Sequence, residues 1–508
     1  MSVNLATPIN ADLATRFMES LNSQAIDYCH WKSNLSLSQA LAGEEDLDIL
    51  VDRKALPNII GLLTDLGFKA AVLKSGANVP GIFHYYGVDA RTGRICHVHL
   101  FSRVLTGESF VKSHTLPFES MLLENCDYIG PVRVASRSAE LALFVLRTFI
   151  KYGSLLDLLR VAGDPEAIRT ELRWLKEGGD VAEAVSLLEK HCPVIDKALF
   201  FKCIETLEDS TSIAQRMRVA RTVRRRLRIY AKYTPLTRLL AYAQLLSIKL
   251  RQRLTGNRKN KTLHAGGAIV AFVGADATGK STLVNETGRW LGSVFAVRRV
   301  HVGKPPSSWA TLPVNLLLPL MRRWLPHLRR NGVGDKGRPA DVPSLPKAGQ
   351  GSRSLIYAVR AAALAWDRYR LLIKVRAWAA NGDIVICDRY PTDIIEAMDS
   401  PRLRELSAKG GIKAALYNRL ARFENALYRK MPPPDTVLRL RVSVETAKQR
   451  NRNRRDEVGM DDEDYLVARH REIRDWCKHG TKYIHDIDTE QSLEATILNV
   501  KRAVWESL

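Results

Sequence analysis

An apolar run, Ala268-Ile269-Val270-Ala271-Phe272-Val273, stops abruptly at Gly274-Ala275-Asp276-Ala277-Thr278-Gly279-Lys280-Ser281, and no other short stretch restricts the fold of this 508-residue chain so strongly. The run has the length and β-branched content of a buried strand, and Thr282 to Leu291 follows with the spacing of an amphipathic helix. A G-x-x-x-x-G-K-[ST] loop between strand and helix curls successive backbone N–H groups around a phosphate. Lys280 can then reach β- and γ-phosphate oxygens, and Ser281 can hold Mg²⁺. The spacing therefore predicts ATP and Mg²⁺ as cofactors, bound by Gly274, Ala275, Ala277, Thr278, Gly279, Lys280, Ser281 and Thr282.

A second apolar run begins after the long helical stretch Ser354 to Ala379 and the turn Asn381-Gly382, and it ends in Cys387-Asp388-Arg389-Tyr390. Strands buried on both faces belong to parallel α/β sheets, where ligands sit at the carboxyl ends. Asp388 is thus expected beside the loop as a metal-ordering carboxylate, with Arg389 facing a phosphate. The fold class is α/β.

The C-terminal half, from about Gly267, resembles the thymidylate kinases of the nucleoside monophosphate kinase group. The resemblance rests on the loop Gly274 to Thr282, the helix segment Trp366-Asp367-Arg368, Asp388-Arg389-Tyr390, the strand Thr436 to Val442 after Pro432-Pro433-Pro434-Asp435, and an arginine-rich segment, Arg450 to Arg455, in the place of the family's lid. It implies a parallel five-stranded sheet and a P-loop kinase reaction. Phosphoryl transfer is catalysed by alignment and positive charge. The loop carries Ala277 where some family members carry arginine, so the lid is expected to supply that charge, with Arg450 and Arg454 as candidates. By the same resemblance Asp276 accepts a hydrogen bond from an acceptor hydroxyl. The family's Arg-Glu-Pro-Gly-Gly acceptor loop is replaced by Gly303-Lys304-Pro305-Pro306-Ser307, which leaves Lys304 as the substitute charge and the acceptor open: a sugar or a nucleotide bearing a hydroxyl or phosphate.

The formal charge is +23, and Thr211 to Lys261 contributes fifteen lysines and arginines with no Asp or Glu. Apolar residues interleave with them, as in one or two basic amphipathic helices broken near Pro235. Such helices suit an anionic membrane surface better than nucleic acid, because no aromatic stacking platform accompanies the charge. No run is long enough for a transmembrane helix and Met1 to Ser20 lacks a secretion signal, so the expected location is cytoplasmic or peripheral to a membrane. The seven cysteines show no metal-ligand spacing. Leucines, a tryptophan and arginines in an insertion from Trp309 to Arg353 suit either a membrane interface or a lid over an amphipathic acceptor.

Near the N-terminus, Tyr28 to Ser33 is followed by Gly43-Glu44-Glu45-Asp46-Leu47-Asp48-Ile49-Leu50-Val51. Carboxylates at i and i+2 of a strand share one face, as a pair gripping Mg²⁺ must, which makes Asp46 and Asp48 metal candidates. The arrangement resembles polymerase-β-type nucleotidyltransferases and implies an α+β domain with an all-α partner over Ser138 to Phe201. His97 and His99 stand where that family carries its third carboxylate. Two metal ions need that charge.

The expected organisation is a nucleotidyltransferase-like domain (1–136), a helical subdomain (137–208), a basic linker (209–264) and a P-loop kinase domain (265–508) with an insertion at 303–353. Three functions fit it. The first is an ATP-dependent phosphotransferase, suited to envelope polysaccharide assembly. The others are a bifunctional nucleotidyltransferase/kinase and a non-enzymatic ATP-binding regulatory module.

Overall fold

The computed structural model describes residues 12–74, 78–107, 112–152, 165–209, 212–234, 261–308, 311–312, 355–392, 399–406, 411–453 and 476–508, with scattered positions between 237 and 250 and at 467 and 470. Most of the insertion at 303–353 and the lid residues from Arg454 onward lie outside them. The chain divides into two compact units, Met1–Asn260 and Lys261–Leu508.

In the first unit, β1 (Tyr28–His30), β2 (Leu47–Val51), β3 (Lys69–Leu73), β4 (Ile82–Val88), β5 (Ile95–Phe101), β8 (Cys126–Ile129) and β9 (Val132–Ala135) are ordered β3-β4-β5-β2-β1-β9-β8. A separate hairpin joins β6 (Val104–Thr106) to β7 (His114–Leu116). The central pair β2 and β5 is parallel, which sets Asp48 directly opposite His99. The antiparallel pairing of β4 with β5 sets His84 opposite His99 and Tyr86 opposite His97. Every residue of β2 is buried. One sheet face packs on helix Leu13–Ser23 through Phe17, Met18 and Leu21. On the other side, Trp31, Leu50 and Phe101 share a core with helix Arg137–Tyr152 and the helices that follow it.

Helix Ile213–Arg226 belongs to that second core. Val219, Ala220 and Val223 are buried within it, and even Arg216 is only 6 % exposed. The apolar stripe legible in the basic segment is, over these residues, an internal packing face. The outward side keeps Arg218, Arg221 and Arg225. Beyond it Ile229, Leu240, Leu246 and Leu250 are exposed.

The second unit opens with the short strand β10 (Lys261–Leu263) and is built on a five-stranded sheet of β11 (Ile269–Gly274), β12 (Val297–His301), β13 (Ile384–Asp388), β14 (Thr436–Arg441) and β15 (Tyr483–Asp488), ordered β12-β13-β11-β14-β15. All its pairings are parallel, as expected from the unbroken apolar runs. Helices Lys280–Gly292, Leu355–Ala380, Ile412–Lys430 and Leu493–Ser507 supply the cover. The long helix Leu355–Ala380 packs Leu372, Val375 and Ala379 against β11 and β13. Among the described residues no helix is long and apolar enough to cross a membrane. All seven cysteines are free.

Candidate functional site

The glycine loop runs from the end of β11 into helix Lys280–Gly292. Gly274 is required by close approach: a Cβ there would come within 2.7 Å of Thr278 Oγ1 and 3.2 Å of the Leu440 carbonyl. Gly279 begins the helix at φ 83°, and Ala277 takes φ 66°, a left-handed conformation costly for a residue with a Cβ. Thr278 Oγ1 donates to the Ala275 carbonyl and is almost fully buried. Ser281 and Thr282 stand exposed on the first turn.

Lys280 folds back inside the loop. Its Nζ donates to the carbonyls of Gly274 at 2.8 Å and Ala275 at 2.5 Å, and lies 4.0 Å from Asp276. Burial lowers its pKa to about 8 against the opposing pull of Asp276, with Arg389 adding to the drop. The ammonium is therefore held by neutral dipoles and only distantly by a carboxylate.

Asp388 and Arg389 arrive as predicted at the carboxyl end of β13, next to the end of β11, with Asp388 opposite Phe272 in register. Asp388 Oδ1 is buried and has no hydrogen-bond partner among the described residues. An orphaned carboxylate oxygen at a strand end, near an exposed Ser281 on a helix N-terminus, fits a hydrated Mg²⁺. Arg389 takes φ 69° and its guanidinium bonds Asp276 Oδ1 at 2.8 Å, so the two residues assigned separately in the sequence meet here.

Behind them stands a buried polar cluster. Arg368 is 1 % exposed and donates to Asp399 Oδ1 (2.9 Å), Tyr428 Oη (2.5 Å) and the Val302 carbonyl (3.1 Å). Its neighbour Asp367 accepts from the Ser308 N–H and the Thr311 hydroxyl. Two successive helix residues thus tie down both ends of the segment that replaces the acceptor loop. Lys304 within it is exposed. A Cβ at Gly303 would fall 2.6 Å from Arg389 Cδ, so this segment leaves room for the arginine.

Of the lid candidates, Arg450 donates to the Thr489 carbonyl at 2.6 Å, a contact that anchors its helix Val444–Asn453. Arg454 lies outside the described residues. Sequence reasoning did not find His470, which hydrogen-bonds the backbone of Asp276 and Val442; burial lowers its pKa and those bonds oppose the shift. Nothing in its local sequence signals that position.

The N-terminal carboxylates sit in a different setting. Asp48 is on β2, whereas Asp46 precedes it. Lys32 Nζ is 2.8 Å from Asp48 Oδ1, His99 Nδ1 is 3.1 Å from the same atom, and His97 Nδ1 is 2.6 Å from Asp46 Oδ1. Burial would raise the Asp48 pKa, but Lys32 and the His99 hydrogen bond hold it well below the usual range. Burial also lowers His99 to about 4 in spite of Asp48, so the imidazole is neutral at pH 7 and donates as a plain hydrogen bond. Two carboxylates already bound by one ammonium and two imidazoles do not fit two divalent ions, whose four positive charges need more anionic ligands. The metal assignment made for Asp46 and Asp48 in the sequence meets this donor set instead. Among the described residues no group of three or more His, Cys, Asp or Glu could hold a metal ion.

No family model matches the chain. Among curated proteins it is similar to the "Uncharacterized ATP-binding protein YghR" of Escherichia coli strain K12, 28 % identical over 186 residues that make up 36 % of this chain and 68 % of the relative. The protein of the same name from Escherichia coli O6:H1 matches to the same extent.

Proposed function

We propose that the C-terminal unit is a P-loop phosphotransferase of the thymidylate kinase-like type, passing the γ-phosphoryl group of ATP to a hydroxyl- or phosphate-bearing sugar or nucleotide. The observation that carries this reading is the meeting of Lys280, the orphaned Asp388 Oδ1 and Arg389 at the carboxyl ends of two adjacent parallel strands. The ATP-binding name of the similar Escherichia coli proteins supports the nucleotide half.

In this reading the loop N–H groups and Lys280 hold the β- and γ-phosphates, Lys280 exchanging two carbonyls for phosphate oxygens. Ser281 and Asp388 would hold Mg²⁺, which neutralises phosphate charge and orients the transfer. Asp276 accepts from the acceptor hydroxyl. Arg389, released from Asp276, meets the acceptor's anionic group.

The basic segment supports a second element, peripheral docking on anionic lipid. Exposed Ile229, Leu240, Leu246 and Leu250 lie in the same stretch as outward arginines, which is the mixture an interface binds. Binding to acidic but not neutral vesicles, weakening with salt, checks that element.

The deciding experiment incubates the protein with γ-labelled ATP and a panel of nucleoside monophosphates, sugars and lipid-linked sugars. Transfer of label to an acceptor by the wild type, abolished by Lys280→Ala, is the expected result. ATP binding without transfer to any acceptor would leave an ATP-binding regulatory module in its place.

A further inference from the structure

A cavity of about 340 Å³ opens on the N-terminal unit, lined by His30, Ser33, Ser36, Glu45, Asp46 and Asp48 together with Ala40. Its floor holds an unexplained group. His30 is 1 % exposed, and its Nε2 is buried with no hydrogen-bond partner among the described residues. The orientation of that ring is fixed from behind. Asn34 Nδ2 donates to Glu140 Oε2 at 2.8 Å and to the His30 carbonyl at 3.2 Å, which makes Asn34 Oδ1 the acceptor toward His30 Nδ1 at 2.5 Å. The proton sits on Nδ1. Burial keeps the ring neutral, lowering its pKa against the opposing bond to Asn34. Nε2 therefore keeps an unused lone pair on a residue that lines the cavity.

The rest of the lining is acidic apart from the hydroxyls of Ser33 and Ser36 and the methyl of Ala40. Glu45, Asp46 and Asp48 contribute carboxylates, and neither lysine nor arginine lines the cavity. The nearest cation, Lys32, is spent on Asp48 at 2.8 Å. Glu45 accepts from the Ser36 hydroxyl at 2.6 Å and Asp46 Oδ1 is bonded by His97 Nδ1 at 2.6 Å, while both carboxylates stay exposed. A wall whose only charges are negative, with the hydroxyls of Ser33 and Ser36 beside them, repels phosphates, which are anions themselves. It selects a ligand rich in donors.

From this we infer that the N-terminal cavity is a metal-independent binding site for a small polyhydroxylated molecule that carries a protonated amine, the chemistry of an amino sugar. The ammonium would lie against Asp46 and Glu45, and a hydroxyl would donate to His30 Nε2. Nothing in this depends on the phosphotransferase reading of the other unit.

Calorimetric titration of the full chain with glucosamine, galactosamine, glucose and galactose tests it. A charge-assisted hydrogen bond of this kind corresponds to about tenfold or more in affinity, so each amine-bearing sugar should bind at least that much more tightly than its neutral counterpart, in the presence of EDTA as in its absence. Asp46→Asn should erase the difference; if that variant misfolds, Glu45→Gln, whose side chain is exposed, makes the same comparison. Equal binding of amine-bearing and neutral sugars, or none of either, would overturn the inference. So would Mn²⁺ binding that Asp46→Asn removes, or MgATP binding that survives Lys280→Ala and is lost in Asp48→Asn.

Discussion

Two lysines, Lys32 and Lys280, sit at the two candidate sites, and what each one touches separates the sites more sharply than any motif. Lys280 is held by the carbonyls of Gly274 and Ala275, with Asp276 no nearer than 4.0 Å. Lys32 is 2.8 Å from Asp48. Carbonyl dipoles solvate a charge without cancelling it, so Lys280 keeps its attraction for an anion, whereas Lys32 has exhausted its own on a carboxylate. The same residue type makes an anion site in one unit and closes off an anion site in the other. Partners decide.

The largest expected effect tests the first half of that contrast. Lys280→Ala should lower phosphoryl transfer by about 10²–10³-fold, the usual loss when a charge aimed at a developing transition state is removed. Thermal unfolding of the same variant should shift little, because the lysine leaves behind only neutral carbonyls. A variant that keeps wild-type turnover would break the phosphotransferase reading.

Lys32→Met should show the opposite pattern. It strands Asp48 among neutral imidazoles in a largely buried position, and breaking such a pair costs about 3 kcal/mol, read in urea unfolding. Turnover with MgATP should be unchanged. If Lys280→Met destabilises the chain as much as Lys32→Met does, the distinction between dipole-held and carboxylate-held lysines fails.

These contrasts show where sequence reading reaches. The loop, the helix after it and Asp388-Arg389 were legible because all their determinants are local: an apolar run, glycines where the backbone must turn left-handed or pack closely, and a strand end. The parallel sheet followed from runs apolar on both faces. The pairs Lys32 with Asp48 and Arg389 with Asp276 were not legible, since 113 residues separate the latter two and only the register of β11 with β13 brings them together. Nor was the destination of helix Ile213–Arg226. Its periodicity reveals an apolar face, but burial of Val219 and Val223 in an internal core is a property of what lies opposite. Of the carboxylates 46 and 48, composition gave the residues and not their partners, and Lys32 offsets the charge of Asp48 while His97 and His99 occupy an oxygen of each.

A smaller effect distinguishes Lys280 by pH. Its pKa in the folded protein is about 8, well below the ordinary lysine value, because burial disfavours the charged form. Bound phosphates favour that form and raise the pKa, so binding takes up a proton above pH 8 and MgATP affinity should fall up to about tenfold per unit there. The free protein behaves inversely: the unfolded lysine binds its proton more tightly, so this group's contribution to stability rises with pH from about 8 toward the unfolded value. Titrations in buffers of different ionisation enthalpy at pH 8.5 measure the uptake. A dissociation constant flat from pH 7.5 to 9.5 would detach Lys280 from the phosphates.

The smallest effect tests whether Asp276 belongs to the nucleotide or to the acceptor. The carboxylate is bonded by Arg389 at 2.8 Å and lies 4.0 Å from Lys280, so in the free protein it tempers both cations. Asp276→Asn removes that negative charge while keeping an oxygen acceptor of the same shape. MgATP should then bind equally or a few-fold more tightly, since a partly exposed charge at this distance contributes only about 0.5–1 kcal/mol. Acceptor KM should rise by a larger factor, because a neutral amide is the weaker acceptor for a hydroxyl. The two constants are measured in one assay by varying ATP and acceptor in turn. A variant in which MgATP affinity drops while acceptor KM stays constant would assign Asp276 to the nucleotide. The carboxylate would then be the one exception to a loop that otherwise holds its lysine with dipoles alone.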